Sequence, residues 1–417
     1  MLDTRTSQKI GLGRALLHGA CLITLMGLTA CSASYLAGDV QPNEDMGAPT
    51  PDFATLQALE RQFDSGVGAT ALAVADLNKD QHADAAVANG IAGTVSVFLR
   101  LDGSGSMTPS ATYAVGRGPS AIGTIDLDGD SQPDLVVANA ADNTLSTLIS
   151  KGQPSGAYVV GPTYGPIQSP NAIAVGDVTG DGKPDVVVSS AGSDQITVLQ
   201  NLQQDGLLTR VGNAFSGGRF VYGLALVPPG GPPGTKPLDL AVVQAADDRV
   251  GLFRNNGSGM FAAVAGGVQL PQDTTPVAIV AADVDGNGQG ASDLAIVGHG
   301  AGTLALALAL GNGTFEPHSI AIAARLGAVA QGRLDSDGVP DWVVAEPDGD
   351  RVHVLLGADI QASWKAGGTG RPTVRAYAAA GLPSAVALGD VDGDGTDEVL
   401  VVCREQGALR VLRGVGK

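Results

Sequence analysis

The sequence predicts an all-β protein, a seven-bladed β-propeller with blades of about four antiparallel strands. Three observations carry this prediction. An acidic, glycine-containing loop recurs along the chain, an apolar run of strand character follows each copy, and the copies lie at a nearly constant interval. A repeat unit of this length, made of short strands without helical periodicity, is typical of a propeller blade.

The spacing of the loops sets the number of blades. The loops begin at Asp76, Asp126, Asp177, Asp283, Arg333 and Asp390, and the successive gaps are 50, 51, 106, 50 and 57 residues. The gap of 106 residues predicts another copy near residue 231. There, Pro228 to Gly234 replaces the acidic residues, but the strand-like run Asp239-Leu240-Ala241-Val242 follows as usual. Seven units therefore predict seven blades.

Each unit contains the same succession of strand-like segments. A run of small residues precedes the loop, as in Ala71-Leu72-Ala73-Val74-Ala75, and such residues suit the crowded innermost strand of a propeller. An apolar run follows the loop, as in Asp134-Leu135-Val136-Val137. About ten residues later comes an alternating segment such as Thr94-Val95-Ser96-Val97-Phe98-Leu99, typical of a half-buried strand.

The two ends of the chain predict how the ring closes. The last unit stops after its third strand, residues 408–412, and has no outer strand. Residues 61–68 occupy the place that residues 111–118 occupy in the next unit, but they have no blade of their own. We infer that this N-terminal segment completes the seventh blade and removes the open sheet edges.

The second loop is the most complete candidate metal site. It reads Asp126-Leu127-Asp128-Gly129-Asp130-Ser131-Gln132-Pro133-Asp134. Carboxylates at positions 1, 3, 5 and 9, with a backbone carbonyl at position 7, suit the six to eight oxygen ligands of calcium, and they would repel one another without a cation. Four loops are predicted to bind Ca²⁺, through Asp76, Asn78, Asp80 and Asp84; Asp126, Asp128, Asp130 and Asp134; Asp177, Thr179, Asp181 and Asp185; and Asp390, Asp392, Asp394 and Glu398.

The remaining loops depart from this pattern. The fifth, with Asp283, Asp285, Asn287 and Asp293, has two extra residues before its last Asp and is a weaker candidate. The sixth has Arg333 at position 1, whose guanidinium could replace the ion by pairing with the same carboxylates, and we expect no calcium there. The fourth has no site. An alternative interpretation of all these loops is that Asp and Gly only shape turns.

Composition narrows the classes of function. The chain has 417 residues, 44% of them hydrophobic, and a net charge of −18, which excludes a non-specific nucleic-acid surface or an anionic-lipid patch. Aromatic residues make up only 4%, which disfavours an aromatic sugar groove or a base-stacking platform. We expect a monomer.

The first thirty residues resemble a bacterial lipoprotein signal peptide. Arg5, Lys9 and Arg14 precede an apolar segment, which ends in Leu28-Thr29-Ala30-Cys31 like a lipobox. Residues 1–30 are then a signal, Cys31 carries the lipid, residues 31–60 form a flexible tether, and residues 61–417 form the propeller. We expect an exported protein anchored to the cell envelope, at the outer membrane. The alternatives are an ordinary cleaved signal and a short buried helix. Cys21 would be removed with the signal, Cys31 would carry the lipid, and Cys403 lies in an apolar run. We therefore expect no disulfide framework in the mature chain.

The tandem Asp-x-Asp-x-Asp-Gly-x-x-Asp loops resemble those of bacterial FG-GAP/VCBS-repeat proteins and of the integrin α-subunit head. The resemblance covers residues 60–417 and implies a calcium-binding propeller, but such repeats occur in adhesins and in sugar-active enzymes alike. The first hypothesis is a non-catalytic binding or scaffold module for a protein or glycan. The alternative is an exported polysaccharide-acting lyase or hydrolase. The five His residues are scattered, and His353 is predicted to be structural.

Overall fold

A computed structural model of the chain describes residues 56–100, 106–152, 156–203, 206–228, 238–286, 293–300, 302–310, 314–323, 325–365, 371–379 and 381–414. The predicted signal peptide, Cys31 and residues 31–55 of the predicted tether lie outside this part of the chain. The segment Pro228 to Gly234, which replaces the fourth acidic loop, also lies outside it, apart from Pro228.

The described residues form seven antiparallel sheets, each with four main strands, as the sequence predicts. Strand β1 (Leu56–Asp64) precedes the first blade. Blades 1 to 3 contain β2 (Ala69–Ala75), β3 (Asp84–Asn89), β4 (Thr94–Arg100) and β5 (Met107–Ala114); β6 (Pro119–Ile125), β7 (Asp134–Asn139), β8 (Thr144–Ser150) and β9 (Tyr158–Tyr164); and β10 (Pro170–Gly176), β11 (Asp185–Ser190), β12 (Gln195–Asn201), β13 (Leu208–Arg210) and β14 (Phe215–Ser216).

Blades 4 and 5 contain β15 (Val221–Val227), β16 (Asp239–Gln244), β17 (Arg249–Asn255), β18 (Phe261–Ala263) and β19 (Val268–Gln269); and β20 (Pro276–Ala282), β21 (Asp293–Gly298), β22 (Thr303–Ala309) and β23 (Phe315–Ala321). Blades 6 and 7 contain β24 (Ala328–Gly332), β25 (Asp341–Glu346), β26 (Arg351–Leu355), helix α1 (Gly357–Lys365) and β27 (Val374–Ala378); and β28 (Pro383–Gly389), β29 (Glu398–Cys403) and β30 (Ala408–Gly414).

The first strand of each blade faces the ring axis, where each inner strand contacts those of the two neighbouring blades. Two glycines show how closely they approach. A Cβ on Gly176 would lie 2.7 Å from Leu226 of the next blade, and a Cβ on Gly389 would lie 2.6 Å from Val74 across the ring closure. The small residues that the sequence shows in these strands are therefore required by packing.

Hydrogen bonds join several inner strands at their second residue. In four consecutive junctions, a hydroxyl or amide donates to a backbone carbonyl of the next inner strand: Ser384 Oγ to Ala69 O at 3.0 Å, Thr70 Oγ1 to Pro119 O at 2.7 Å, Ser120 Oγ to Pro170 O at 2.7 Å, and Asn171 Nδ2 to Val221 O at 2.9 Å. These bonds use carbonyls that the antiparallel ladder leaves available.

The core lies between blades rather than within them. Val95 and Val97 of β4 pack with Leu135 and Val137 of β7, and the other apolar clusters likewise join neighbouring sheets. Second strands such as β3 and β7 are buried at every position, because a blade covers each of their faces. They therefore read as continuous apolar runs, whereas the outer strand β5 is largely exposed.

The N-terminal strand closes the ring. β1 pairs antiparallel with β30, from Leu56 opposite Gly414 to Asp64 opposite Ala408, and so supplies the outer strand of blade 7. This confirms the predicted closure. The strand begins at Leu56, inside the segment 31–60 predicted as a tether.

The sequence analysis did not anticipate helix α1. It occupies the long connection between β26 and β27, and its Ile360 is fully buried. Within the described ranges, no helix has the length and hydropathy needed to cross a bilayer.

Candidate functional site

The acidic loops share one face of the ring. Each loop connects the inner strand of a blade to the second strand, so the polypeptide crosses the same end of every blade at this point. The final acid of each loop is also the first residue of the second strand, as Asp84 is of β3 and Asp134 of β7. The loops are therefore anchored by the strand that follows them.

This final acid connects three parts of its blade. Asp134 accepts the Leu127 N–H through Oδ2 at 2.7 Å and the Ser150 N–H through Oδ1 at 2.7 Å. The first bond fixes the beginning of the loop, and the second fixes the end of the third strand, β8. The same bond to the amide sixteen residues later joins Asp84 to Arg100, Asp185 to Asn201, Asp239 to Asn255, Asp293 to Ala309, and Asp341 to Gly357.

Burial changes the acidity of these residues. The side chains of Asp84, Asp134 and Asp341 are fully buried. Burial disfavours the charged form and raises the pKa of Asp84 to about 7, of Asp134 to about 6 and of Asp341 to about 7. A nearby cation would act in the opposite direction, because it stabilises the carboxylate.

The other acids of the second loop also accept backbone amides. Asp126 accepts the Gly129 N–H at 2.7 Å and the Ser131 N–H at 3.0 Å, and Asp130 accepts the Gln132 N–H at 2.7 Å. These are the turn bonds that the alternative interpretation requires. They leave further lone pairs on each carboxylate, so turn formation and metal binding are compatible here.

Several loops also bring three acids together. In the described part of the chain, four sets of carboxylate oxygens lie within 4.8 Å of one another: Asp126, Asp128 and Asp134; Asp177, Asp181 and Asp185; Asp283, Asp285 and Asp293; and Asp390, Asp392 and Glu398. Ligands on opposite sides of a calcium ion, each about 2.4 Å from it, are separated by a similar distance. The all-oxygen donor set therefore fits calcium.

The remaining predicted ligands are placed differently. Asp130 and Asp394 lie in their loops but outside these sets, and Asp76, Asp80 and Asp84 of the first loop do not form one. In that loop, the Asn78 amide donates to Asp80 Oδ2 at 3.0 Å. The Thr179 hydroxyl oxygen is buried in the third loop. Asn287 lies outside the described residues.

The sixth loop corrects one expectation. Among the described residues, no ion pair joins the Arg333 guanidinium to the carboxylates of Asp335, Asp337 or Asp341. The main chain of Arg333 is used instead: its N–H donates to Asp397 Oδ2 at 2.7 Å, and its carbonyl accepts the Asp397 N–H at 2.7 Å. Asp397 thus connects loops 6 and 7. The Arg333 side chain is exposed to solvent instead of lying over the loop acids.

An arginine does approach the acids in two other blades. Arg254 Nε lies 3.1 Å from Asp239 Oδ2 in blade 4, where the other loop acids are missing. In blade 7, the Arg413 guanidinium contacts Asp392 directly and lies 3.5 Å from Asp394 Oδ2 and 3.9 Å from Glu398 Oε1. The sequence analysis missed both arginines, although each follows the final acid of its loop by fifteen residues.

Four loops are also held by a side chain from the following blade or its helix. The side chain of Asn201 donates to Asp126 O at 2.7 Å, that of Asn255 to Val178 O at 2.8 Å, and that of Gln361 in α1 to Val284 O at 3.3 Å. Arg100 performs the same role across the closure, because its guanidinium donates to Asp392 O at 2.6 Å. The sequence signal that could have predicted these contacts was a polar residue at the end of a third strand.

An open depression of about 300 Å³ lies beside the second loop. Its lining includes Asp126, Ser131 and Gln132 of that loop, with Ala75 and Val175 from the neighbouring inner strands. The depression thus combines carboxylate and apolar surface from three blades. His353 lies elsewhere, in β26, where its Nε2 is 2.8 Å from Glu346 Oε2 and only 5% of the residue is exposed. It is structural, as predicted.

Comparison with known proteins supports the repeat assignment. Residues 76–137, 126–188 and 333–401 match the FG-GAP-like repeat family, and residues 169–208 match the FG-GAP repeat family. These matches include the loops of blades 1, 2, 3, 6 and 7. No curated protein matches the chain.

Solved structures share the fold at low identity. Virginiamycin B lyase from Staphylococcus aureus is 13% identical with a TM-score of 0.57, covering 86% of this chain and 99% of its own. The BBS1N domain, solved in complex with ARL6DN, is 13% identical with a TM-score of 0.58, covering 87% and 98%. Sqt1 from Saccharomyces cerevisiae is 10% identical with a TM-score of 0.56, covering 85% and 98%. At such identities the likeness concerns the fold alone. The repeat matches and the ring of seven four-stranded blades together support the assignment of this chain as an FG-GAP-repeat β-propeller.

Proposed function

We propose that this protein is a calcium-stabilised, non-catalytic propeller, held to the cell envelope by a lipid on Cys31, which serves as a binding or scaffold module for a protein or glycan. The observation that carries the calcium part is the convergence of three acids in single loops, most completely at Asp126, Asp128 and Asp134. The FG-GAP matches support it, since they cover this loop.

The ions would be held by the loops of blades 1, 2 and 3, with the acids of blade 5 as a further set. Bound calcium would neutralise neighbouring carboxylates that otherwise repel one another. The chain's own part is to preorganise the loop: backbone amides fix Asp126 and Asp134 in place before any ion arrives. Calcium binding to the folded state then stabilises it by mass action.

The absence of catalysis is proposed from the roles of the acids. Each set of three acids found among the described residues belongs to a loop, and its oxygens accept backbone amides that hold the blade together. A carboxyl group used in this way is poorly placed to exchange protons with a substrate. The face carrying the loops, with the depression beside Asp126, is the proposed surface for a partner.

Thermal unfolding with and without EGTA tests the calcium part. We expect excess EGTA to lower the unfolding midpoint of the wild type. The variant Asp128→Asn should lose part of that calcium effect, because one member of the second set is neutralised. Asp335→Asn in the sixth loop is the matched control, and it should keep the full effect. An unchanged wild-type midpoint in EGTA would reject structural calcium.

The anchor has a separate test. Cells expressing the full chain are labelled with radioactive palmitate, and the chain is immunoprecipitated. We expect label on the wild type and on Cys403→Ser, but none on Cys31→Ser. Label that persists on Cys31→Ser would reject the lipidation site.

A further inference from the structure

Arg413 lies inside the acid set of the seventh loop. It belongs to β30, and its guanidinium contacts Asp392 directly, with Asp394 and Glu398 at 3.5 and 3.9 Å. The side chains of Asp392 and Glu398 are each only 2% exposed. A buried carboxylate needs a positive partner, and here the chain supplies one from its own strand.

Two of the seven blades have an arginine at the same position of the repeat. It lies fifteen residues after the final acid of the loop, on the third strand beside that acid. Arg254 occupies the same position in blade 4 and contacts Asp239 at 3.1 Å. The other five blades have uncharged residues there: Leu99, Ile149, Gln200, Leu308 and Leu356. An arginine at this position therefore coincides with a direct contact to the loop acid in both blades that have one.

The seventh loop is also tied to the first blade. Arg100 donates to the Asp392 carbonyl at 2.6 Å, and the Ala83 N–H donates to the Asp390 carbonyl at 3.1 Å. Strand β30, which carries Arg413, pairs with β1 to close the ring. The seventh loop, which resembles a calcium site in the sequence, thus lies at the ring closure. Two guanidinium groups surround its Asp392.

We propose that Arg413 is the resident cation of the seventh loop, so that this loop binds no calcium and the ring closes without a metal. A divalent ion among Asp390, Asp392 and Glu398 would face a guanidinium in contact with the same carboxylate, and the two like charges repel. The inference holds for blade 7 whether or not the other loops bind calcium. It reverses the expectation that Asp390, Asp392, Asp394 and Glu398 are calcium ligands.

Counting bound calcium by equilibrium dialysis and atomic emission tests the proposal. We expect Asp390→Asn to bind as many ions as the wild type, since loop 7 holds none. We expect Arg413→Gln, which copies Gln200 of blade 3, to bind one more. Arg254→Gln is the matched control: it removes the same contact in a blade whose other loop acids are missing, so it should gain no ion.

Two results would overturn the proposal: one ion fewer in Asp390→Asn than in the wild type, or no additional ion in folded Arg413→Gln. If Arg413→Gln does not fold, the comparison of Asp390→Asn with the wild type decides alone. If the calcium proposal for the other loops is wrong, the wild type binds no ions, and this result is distinct from the two above. Even then, one ion gained by Arg413→Gln would support the role of Arg413.

Discussion

The Asp134 carboxylate accepts the Ser150 amide at 2.7 Å, and a bond over the same sixteen-residue interval recurs in blades 1 to 6. It joins the start of the second strand to the end of the third. Blade 4 retains it, between Asp239 and Asn255, although its other loop acids are gone. The final acid of the repeat is therefore a structural residue of the blade, and the proposed metal binding would be added to that role.

Replacing Asp134 tests this structural role. Asp134→Ala leaves the Leu127 and Ser150 amides without their acceptor inside the protein, which should cost about 3 kcal/mol in the free energy of unfolding, measured by urea denaturation in EGTA. Asp142→Ala is the control, because Asp142 pairs with an exposed Arg117 at the surface and should have a much smaller effect. Equal stability of the two variants in EGTA would contradict the structural role.

The buried acid of blade 6 predicts a pH dependence. Burial raises the pKa of Asp341 to about 7 from 3.8, in a loop where we expect no calcium. The folded protein then keeps a proton that the unfolded chain releases, so the stability from this group is complete below about pH 4 and is lost as the pH rises through about 7. Carbon-13 NMR of the Asp341 carboxyl, assigned with Asp341→Asn, should show titration near neutrality. Titration near pH 4 would show that the group is solvated or paired.

The N-terminal strand predicts the effect of a truncation. A chain that starts at Gly66 lacks β1 and exposes the edge of β30, so it should unfold at a lower temperature and self-associate through the open edge. A chain that starts at Leu56 keeps β1 and is the control. Thermal unfolding and size-exclusion chromatography provide the readouts. Identical behaviour of the two truncated chains would show that β1 does not hold the ring closed.

The hydrogen bonds between inner strands predict a small, specific cost. Thr70→Val removes the hydroxyl that donates to Pro119 O at 2.7 Å while keeping the shape of the side chain. The free energy of unfolding should fall by about 1 kcal/mol, because the hydrogen bond is lost and the carbonyl is left in a partly buried site. Thr70→Ser retains the hydroxyl and should retain most of the stability. A Thr70→Val protein as stable as the wild type would contradict the role of this bond.

The ring itself was predictable because every blade has a similar local sequence pattern. Loops such as Asp126 to Asp134 recur at an almost constant spacing, and continuous apolar runs mark strands that are covered on both faces. The closure by β1 followed from counting strands at the two ends. In these features the short-range sequence pattern agrees with the fold. The number of blades could therefore be predicted from the sequence alone.

The contacts around the loops were harder to predict from the sequence. Arg413 lies fifteen residues beyond Glu398 and reaches it only because β29 and β30 pair side by side. Arg100 meets Asp392 across the ring closure, 292 residues away in sequence. Helix α1 was missed because a nine-residue segment in a long connection has too few turns for a clear helical period. Such contacts depend on the register of strands and on closure, which the repeat pattern does not specify.

Calcium binding by the acid sets is the central claim, and isothermal titration of metal-free protein with calcium tests it most directly. The account predicts about four bound ions per chain, one in each acid set of blades 2, 3 and 5 and one in the first loop, with affinities in the range of extracellular calcium modules. It also predicts that Asp126→Asn, which alters only the second loop, removes one of them. No binding up to about 10 mM calcium would contradict it.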